Sequence, residues 1–294
     1  MKRFEGKVCL VTASTAGIGL AIAERMAVEG GNVIICSRKQ ENVDEALVKL
    51  NESIQKSGSK GSAIGIAANV GRPEERKKLV DLVSSKYGKL DVLVPNAAVS
   101  THFGSQFDIS EKAYDKLWDL NVKATFYLIK ETIELIRNAG EGANILITSS
   151  VAGKEPNFTI GLYGSCKAAI DNMVKWMKDE LRSDGIRVNS IAPGLIKTDF
   201  AAPLWGNPEV PKDSIGLSEN IGAVAATMTS SDGAFINGTT FYVHGGYTIL
   251  NNFNLVYEYI LVNCPVINQT FLTTPFLPRM SSCKNNHYIV LWNT

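Results

Sequence analysis

Short apolar runs alternate with longer amphipathic segments along most of the chain. The apolar runs lie at residues 7–12, 32–37, 63–68, 90–96, 144–150, 186–194 and 239–246. Helical patterns lie between them at 18–30, 40–57, 73–87, 111–138, 163–183 and 219–228. This alternation is typical of βαβ units, whose parallel sheet is covered by helices on both faces. The pattern therefore predicts an α/β fold, a doubly wound parallel sheet of the Rossmann type.

A glycine-containing turn, TASTAGIG at residues 12–19, follows the first predicted strand. Gly17 and Gly19 would let backbone N–H groups approach a pyrophosphate, and the helix that begins near Ile18 directs the positive end of its dipole there. An ordinary tight strand-to-helix turn has a similar composition. The position after the first strand of a βαβ unit favours a dinucleotide site.

The residues at the end of the second predicted strand bear on the choice of cofactor. A carboxylate is expected there in an NAD site, where it accepts a hydrogen bond from the ribose 2′-hydroxyl. This chain has Ser37, Arg38 and Lys39 instead, and its next carboxylate is Glu41. Arg38 could pair with a 2′-phosphate, although a solvated Arg-Lys pair is the structural alternative. The sequence therefore predicts NADP(H) as the cofactor.

Tyr163 and Lys167 are four residues apart, one turn along one face of a predicted helix. That spacing alone is common and carries little weight. Two other polar residues support a functional interpretation. Ser150 ends a predicted strand, and Asn121 lies within an otherwise apolar stretch of the helix predicted at 111–138.

Together with PNAA (95–98), ITSSVAG (147–153) and RVNSIAPGLIKTD (187–199), these motifs resemble the short-chain dehydrogenase/reductase family, from about residue 4 to residue 246. Finer similarities point to its NADP-dependent carbonyl/retinal reductase subgroup. The resemblance implies that Tyr163 is the general acid for a carbonyl oxygen and that Ser150 binds this oxygen. It also implies that Lys167 lowers the pKa of Tyr163 and contacts the nicotinamide ribose, and that Asn121 anchors a water that relays protons toward Lys167.

The resemblance further assigns cofactor contacts, in addition to Tyr163 and Lys167. The phosphate loop supplies Thr12, Ser14, Gly17, Ile18 and Gly19, and the end of the second strand supplies Ser37, Arg38 and Lys39. The adenine and ribose contacts are Asn69, Val70, Asn96 and Ala97, and the nicotinamide contacts are Pro193, Gly194, Ile196 and Thr198. For Asn69 and Asn96, a purely structural role as turn residues at strand ends remains an alternative.

Four positions depart from the family pattern. Ala13 replaces the first glycine of the loop, so its backbone is expected to keep a negative φ. Asn69 replaces an aspartate but retains an acceptor oxygen, and PNAA replaces NNAG at 95–98. The segment 199–218 is shorter than the family's substrate loop. Phe200, Leu204 and Trp205 are expected to line an apolar substrate pocket there, with an ordinary surface loop as the alternative.

Composition narrows the classes of partner. A formal net charge of +1 argues against nucleic acid, and five widely spaced cysteines with only three histidines argue against a metal site or a disulfide framework. The amino-terminal residues contain no visible targeting signal, which favours the cytoplasm, although a mitochondrial or peroxisomal location is also compatible. The apolar run 255–267 is too short and interrupted to span a bilayer, so no transmembrane span is expected.

The sequence thus predicts a reductase domain at 1–246 and an apolar carboxyl-terminal extension at 247–294, which has only three charged residues and no counterpart in the family. This extension could cover the domain surface, associate with a membrane, or be non-native translation past the end of the domain; the first and third alternatives are favoured. The expected function is hydride transfer between NADP(H) and an apolar carbonyl or alcohol, such as an aldehyde, ketone, dicarbonyl or retinal-like molecule. A catalytically weak or inactive NADP-binding scaffold is the alternative. The family resemblance implies a homodimer or homotetramer, unless the extension interferes.

Overall fold

The computed structural model describes residues 2–206, 208 and 210–247. The extension predicted after residue 246 lies outside these residues, apart from Tyr247. Seven strands in the described part form one parallel sheet of order β3-β2-β1-β4-β5-β6-β7. They are β1 Val8–Val11, β2 Asn32–Ser37, β3 Ser62–Ala67, β4 Val92–Val94, β5 Asn144–Thr148, β6 Arg187–Pro193 and β7 Thr240–Val243. The predicted doubly wound fold is confirmed.

Helices cover both faces of the sheet. They are α1 Gly17–Val28, α2 Gln40–Ser57, α3 Pro73–Tyr87, α4 Glu111–Trp118, α5 Ala124–Ala139, α6 Gly161–Glu180, α7 Ala202–Trp205 and α8 Ser218–Thr229. Buried side chains of α1, α2 and α8 pack on one face, and those of α3, α5 and α6 pack on the other. Each predicted strand and helix has a counterpart, and α7 is the helix that the apolar pattern did not indicate.

The side chains of β1 alternate between the two hydrophobic cores, one on each face of the sheet. Val8 and Leu10 belong to the core under α3, α5 and α6, whereas Cys9 and Val11 belong to the core under α1, α2 and α8. Successive side chains on a strand point to opposite faces, so a strand covered on both sides must be apolar throughout. This is why the strands appear in the sequence as continuous apolar runs.

The single helix predicted at 111–138 is wrong in one respect. A π-helical turn, Asp119–Lys123, interrupts it and separates α4 from α5. The buried residue of this turn is Asn121. A π-helical turn adds one residue to a helical turn and is frequent at functional sites, which directs attention to this residue.

The strand order reverses direction between β1 and β4, which are neighbours in the sheet although β2 and β3 lie between them in the chain. Connections from these two strands leave toward opposite faces, so a crevice opens beyond their carboxyl ends. No helix in the described part of the chain is long and apolar enough to cross a membrane. Over the same residues, no cluster of side chains could hold a metal ion, and Cys9, Cys36 and Cys166 are buried free thiols.

Candidate active site

A cleft of about 280 Å³ lies at the carboxyl ends of the strands, where the reversal of strand order predicts a ligand site. Segments that follow β1, β4, β5, β6 and β7 all contribute to its walls. Many of the residues expected from the sequence meet here. They are Gly17, Ile18, Gly19, Asn96, Ser150, Tyr163, Lys167, Pro193, Gly194, Ile196, Thr198, Phe200 and Leu204.

Ser150, Tyr163 and Lys167 form a connected polar group in one wall of the cleft. The Tyr163 hydroxyl is hydrogen-bonded to the Ser150 side chain, which also accepts the Ala152 N–H at 3.2 Å. The Lys167 ammonium donates to the Thr148 carbonyl at 2.8 Å and lies 5.5 Å from the centre of the Tyr163 ring. The hydroxyl pair is therefore preorganised, and Lys167 is fixed behind it.

Gly164 permits this arrangement by letting α6 approach the turn after Ser150. A Cβ atom at position 164 would lie 2.6 Å from the Ala152 carbonyl oxygen, a distance at which the backbone would have to move. Because Gly164 directly follows Tyr163, any such displacement would separate the tyrosine hydroxyl from Ser150. A glycine at this position therefore fixes the distance between the two hydroxyl groups.

Burial controls the ionisation of both Tyr163 and Lys167. It raises the pKa of Tyr163 well above its ordinary value, opposed in part by the hydrogen bond from Ser150. Burial lowers the pKa of Lys167 to about 8. Lys167 is not among the groups that shift the pKa of Tyr163 in this structure, so the lowering of that pKa by Lys167 stays a prediction.

Asn121 fixes the segment after β4 to the π-helical turn. Its side-chain oxygen accepts the Val99 N–H at 3.1 Å, and its amide donates at 2.8 Å to the carbonyl groups of both Val99 and Leu117. The side chain is fully buried and does not line the cleft. The two hydrogen bonds to Val99 stabilise the backbone that continues into the cleft wall at Ser100, and the third holds the end of α4.

The loop after β1 carries no side chain at Gly19, where the backbone packs closely, and we call this loop the glycine cradle. A Cβ atom at Gly19 would lie 2.4 Å from the Ala13 carbonyl oxygen and 2.6 Å from the Asn96 amide nitrogen. The Asn96 amide itself donates to the carbonyl groups of Thr12 and Ala13, at 3.1 and 3.2 Å. The Thr12 hydroxyl accepts the backbone N–H groups of Asn96 and Ala97. Thr12, Asn96 and Ala97 thus connect the phosphate-type loop to the end of β4.

Ala13 contradicts the expectation of a negative φ. Its φ is +49°, and it is the only non-glycine residue with a positive φ among the described residues. A Cβ atom makes this left-handed conformation unfavourable by about 1–2 kcal/mol. The loop keeps the shape that a glycine would allow because the Asn96 amide holds the Ala13 carbonyl in place.

Three further residues expected at the cofactor have side chains in the protein interior. The Ser14 hydroxyl donates to the Val11 carbonyl at 2.5 Å and accepts the Cys36 N–H at 3.2 Å, which connects β1 to β2. Val70 and Ala97 pack in or against the core under α3, α5 and α6. These side chains affect the site indirectly, because they position the backbone segments that form it.

Arg38 and Asn69 lie together, away from the main cleft. They line a shallow depression with Arg72, Lys112 and Lys116. Arg38 is exposed and has no ion-pair partner in the described part of the chain, and the flanking Lys39 is exposed as well, whereas Ser37 is half-buried. The Asn69 side-chain oxygen accepts the Gly71 N–H at 3.1 Å, a turn interaction that occupies the acceptor expected for adenine.

The segment after β6 closes the opposite side of the cleft. The Thr198 side chain approaches the phosphate-type loop, since a Cβ atom at Gly17 would lie 3.0 Å from its methyl group. Phe200 lies 6.0 Å from Tyr163, measured between ring centres, and Leu204 also faces the cleft. Trp205, which was also expected in the pocket, is not among the residues that line the cleft. Its indole N–H donates to the Thr198 carbonyl at 2.7 Å, and Lys197 covers the ring, so Trp205 holds the short helix α7 instead of lining the pocket.

Several residues of the cleft walls were not predicted from the sequence. They include Ala98, Ser100, Phe103, Thr148, Val151, Ile160, Leu195, Val210, Ser214, His244 and Tyr247. Most lie within a few residues of the carboxyl end of a predicted strand. That position was the available signal, because the carboxyl ends of parallel strands meet at one edge of the sheet.

The residues fit a nicotinamide dinucleotide, as judged from two features of the cleft. The glycine cradle leaves backbone groups open to a phosphate at the start of α1. Buried polar atoms of Ser100, Thr148 and His244 line the cleft without a hydrogen-bond partner. Unpaired buried polar atoms are costly, and a polar ligand would satisfy them. A preorganised hydroxyl pair beside such a ligand can donate a proton to a carbonyl oxygen.

Comparisons with known proteins agree with this arrangement. The model of the short chain dehydrogenase family matches residues 7–208. Tropinone reductase-like 3 of Erythroxylum coca is 36% identical over 254 residues, which cover 83% of this chain and 94% of the relative. Dehydrogenase/reductase SDR family member 4 of Sus scrofa is 40% identical over 253 residues, which cover 83% and 88%.

Solved structures show the same fold. A short-chain type dehydrogenase/reductase from Mycobacterium ulcerans superposes with a TM-score of 0.77 at 27% identity, covering 83% of this chain and 90% of the other. Levodione reductase has a TM-score of 0.74 at 23% identity, covering 83% and 98%, a likeness of fold alone. The fold and the cleft are those of a nicotinamide-dependent oxidoreductase. The chain belongs to the short-chain dehydrogenase/reductase family.

Proposed function

We propose that this protein reduces an apolar aldehyde or ketone with NADPH, or oxidises the corresponding alcohol with NADP⁺. The observation that carries the proposal is the hydrogen-bonded pair of Ser150 and Tyr163 in the wall of the cleft, with Lys167 buried behind it. The cofactor supplies the hydride. The protein supplies the proton and the hydrogen bonds that hold the substrate oxygen.

Tyr163 is the proton donor in this proposal. The tyrosine hydroxyl is protonated at neutral pH and so carries the proton that a carbonyl oxygen must receive, although burial raises its pKa and makes it a weaker acid than a free tyrosine. The Ser150 hydroxyl binds the same oxygen and stabilises the negative charge that develops on it. The buried Lys167 ammonium, 5.5 Å from the centre of the Tyr163 ring, adds a positive charge that stabilises the charge on that oxygen. Asn121 acts indirectly in this proposal. It positions the backbone of the cleft wall by accepting a hydrogen bond from the Val99 N–H.

The apolar nature of the substrate follows from the residues around Tyr163. Val151, Ile160 and Val210 form a small buried cluster, and Leu195 and Leu204 pack against it beside Tyr163. The Phe200 ring covers this end of the cleft and is half-exposed. An apolar group attached to the carbonyl would be removed from water here, at roughly 25 cal/mol per Å² of buried surface.

The preference for NADP(H) rests on Arg38. It is exposed at the end of β2, where a 2′-phosphate would meet the guanidinium group together with Arg72 across the same depression. The nearest following carboxylates are on α2, and the Asp44 side chain accepts a hydrogen bond from Gln40. Arginine binds phosphate through paired hydrogen bonds, and the end of β2 itself has no carboxylate. The same depression also contains Glu111, Asp115 and Asp119, and Arg72 pairs with Glu75 at 3.0 Å, so Arg38 is the cation on which the preference depends.

The test is the Tyr163→Phe variant, assayed for NADPH consumption with a panel of apolar aldehydes and ketones. We expect the wild-type protein to turn over and the variant to lose at least 99% of this activity, because the proton donor is absent. NADPH binding, followed by fluorescence, should remain in both proteins. Tyr242→Phe is the matched control, since Tyr242 packs in the same cluster without lining the cleft.

Two results would overturn the proposal. Activity retained by Tyr163→Phe would exclude the assigned proton donor. A wild-type protein that binds NADPH but is inactive on every substrate of the panel would favour the alternative of a cofactor-binding scaffold.

A further inference from the structure

His244 occupies a position in the cleft that the proposed reaction does not use. It directly follows β7 and lines the same cleft as Ser150 and Tyr163. It also packs tightly against the end of β6, since a Cβ atom at Gly194 would lie 2.7 Å from the Cβ atom of His244. The absence of a side chain at Gly194 is therefore what allows the histidine to come this close to the cleft.

The imidazole of His244 lacks a polar partner. Its Nδ1 atom is buried without a hydrogen-bond partner. A buried polar atom that stays unpaired costs about 1–3 kcal/mol. Such groups in native structures are usually paired, so an unpaired one at a cleft calls for a ligand atom.

Several other polar groups of the cleft already have hydrogen-bond partners. Lys167 donates to Thr148, Tyr163 pairs with Ser150, and the Tyr247 hydroxyl donates to Asp213. The unpaired hydroxyls of Ser100 and Thr148 and the imidazole of His244 each keep a hydrogen that can be donated. A carbonyl oxygen of a substrate accepts hydrogen bonds and cannot donate them, so a donor is what His244 can supply to it.

We propose that His244 donates a hydrogen bond to a second oxygen atom of the substrate, in addition to the reacting carbonyl oxygen. His244 thereby selects substrates with two oxygen acceptors, such as α-keto esters, over simple ketones of the same length. This inference rests on the proposed function. A buried donor in a binding site discriminates against ligands that leave it unpaired.

The experiment compares ethyl pyruvate, which has one ketone and one ester carbonyl, with 2-hexanone, which has the ketone alone. The measured quantity is the ratio of kcat/KM for the two substrates in the wild-type protein, divided by the same ratio in a His244 variant. The intrinsic reactivities of the two ketones cancel in this double ratio. We expect His244→Leu to lower the preference for ethyl pyruvate about three- to tenfold, the usual effect of one hydrogen bond.

Two further variants make the result specific. His244→Gln keeps an N–H group and should retain more of the preference than His244→Leu. Tyr247→Phe removes a hydroxyl from the same cleft and should leave the ratio unchanged, because that hydroxyl already pairs with Asp213. A double ratio close to one for His244→Leu would overturn the inference.

A binding experiment tests this inference independently of the proposed reaction. Tyr163→Phe with bound NADPH is titrated calorimetrically with each ketone, with and without His244→Leu. If neither ketone is turned over by the wild-type protein, the proposed function fails while the affinity ratio still reports on His244. A loss of NADPH affinity in His244→Leu, with an unchanged ratio of ketone affinities, would show that the histidine binds the cofactor instead and would overturn the inference.

Discussion

The Lys167 ammonium donates a 2.8 Å hydrogen bond to the carbonyl oxygen of Thr148, the last residue of β5. Both residues are buried, and the hydrogen bond fixes the cation beneath the Tyr163 ring. The geometry therefore places a positive charge where it costs stability but can serve the reaction. Burial is the larger effect on the lysine, and it lowers the pKa of this group to about 8.

Stability should therefore depend on pH through Lys167. Between about pH 8 and 10.5, the unfolded lysine binds its proton more strongly than the folded one, so the free energy of unfolding rises with pH. We expect the wild-type protein to gain about 2 kcal/mol relative to Lys167→Met between pH 7.5 and 9.5. Urea unfolding of both proteins without cofactor measures this gain.

Tyr163 does not disturb this comparison. Its raised pKa opposes stability only above pH 10, where the unfolded tyrosine ionises, and it is present in both proteins. Lys175→Met, at an exposed position on the same helix, is the control and should show no such gain. A difference between wild type and Lys167→Met that is independent of pH would contradict the prediction.

Arg38→Asp should reverse the cofactor preference. The substitution removes a partner of the 2′-phosphate and introduces a charge that repels it, so we expect NADPH to bind about 10- to 100-fold more weakly. NADH should bind at least as well as before, since a carboxylate at this position can accept from the ribose 2′-hydroxyl. Fluorescence titration with both cofactors gives the ratio. Arg182→Asp makes the same change of charge at an exposed position outside both pockets, and equal effects of the two substitutions would refute a specific role of Arg38.

Ala13→Gly should stabilise the protein. The left-handed conformation at φ +49° costs alanine about 1–2 kcal/mol, whereas glycine adopts it freely but loses about 0.5–1 kcal/mol through the entropy of the unfolded chain. The net gain is about 0.5–1 kcal/mol, or about 2 °C in Tm for a domain of this size. Ala234→Gly is the control. The φ of the exposed Ala234 is −54°, so only the entropic loss applies and Tm should fall. An unchanged or lower Tm for Ala13→Gly would mean that the loop carries no strain.

Asn121→Ala should destabilise the segment after β4. The substitution removes three hydrogen bonds and leaves the N–H and carbonyl groups of the half-buried Val99 without their partner, at a cost of about 1–3 kcal/mol. Denaturant unfolding measures the loss, and hydrogen exchange at the Val99 amide should accelerate more than exchange in β1. Asn138→Ala, at an exposed position on α5 with one hydrogen bond, should cost less than 1 kcal/mol. Equal costs for the two substitutions would exclude the anchoring role of Asn121.

Local patterns in the sequence determined most of the fold. Strands buried on both faces must be apolar along their whole length, and this is why β1 and β2 could be located within a residue or two. The spacing of Tyr163 and Lys167 placed both on one helix face, and the motif at 147–150 placed Ser150 at the end of a strand. Backbone geometry that depends on distant contacts was not predictable. The positive φ of Ala13 depends on the Asn96 amide, and the π-helical turn at Asn121 depends on the backbone at Val99.

The sequence by itself determined the order of the elements and the absence of a carboxylate at the end of β2, because each depends on neighbouring residues. The set of Ser150, Tyr163 and Lys167 was predicted from the resemblance to a family. Only the tertiary structure decided which side chains reach the cleft. Trp205 turns away to bind Thr198, whereas His244 enters because Gly194 leaves it room. The ionisation of Tyr163 and Lys167 was also decided there, since a pKa depends on burial and on the direction in which a charge points. Such properties arise between segments far apart in the chain, and no local pattern records them.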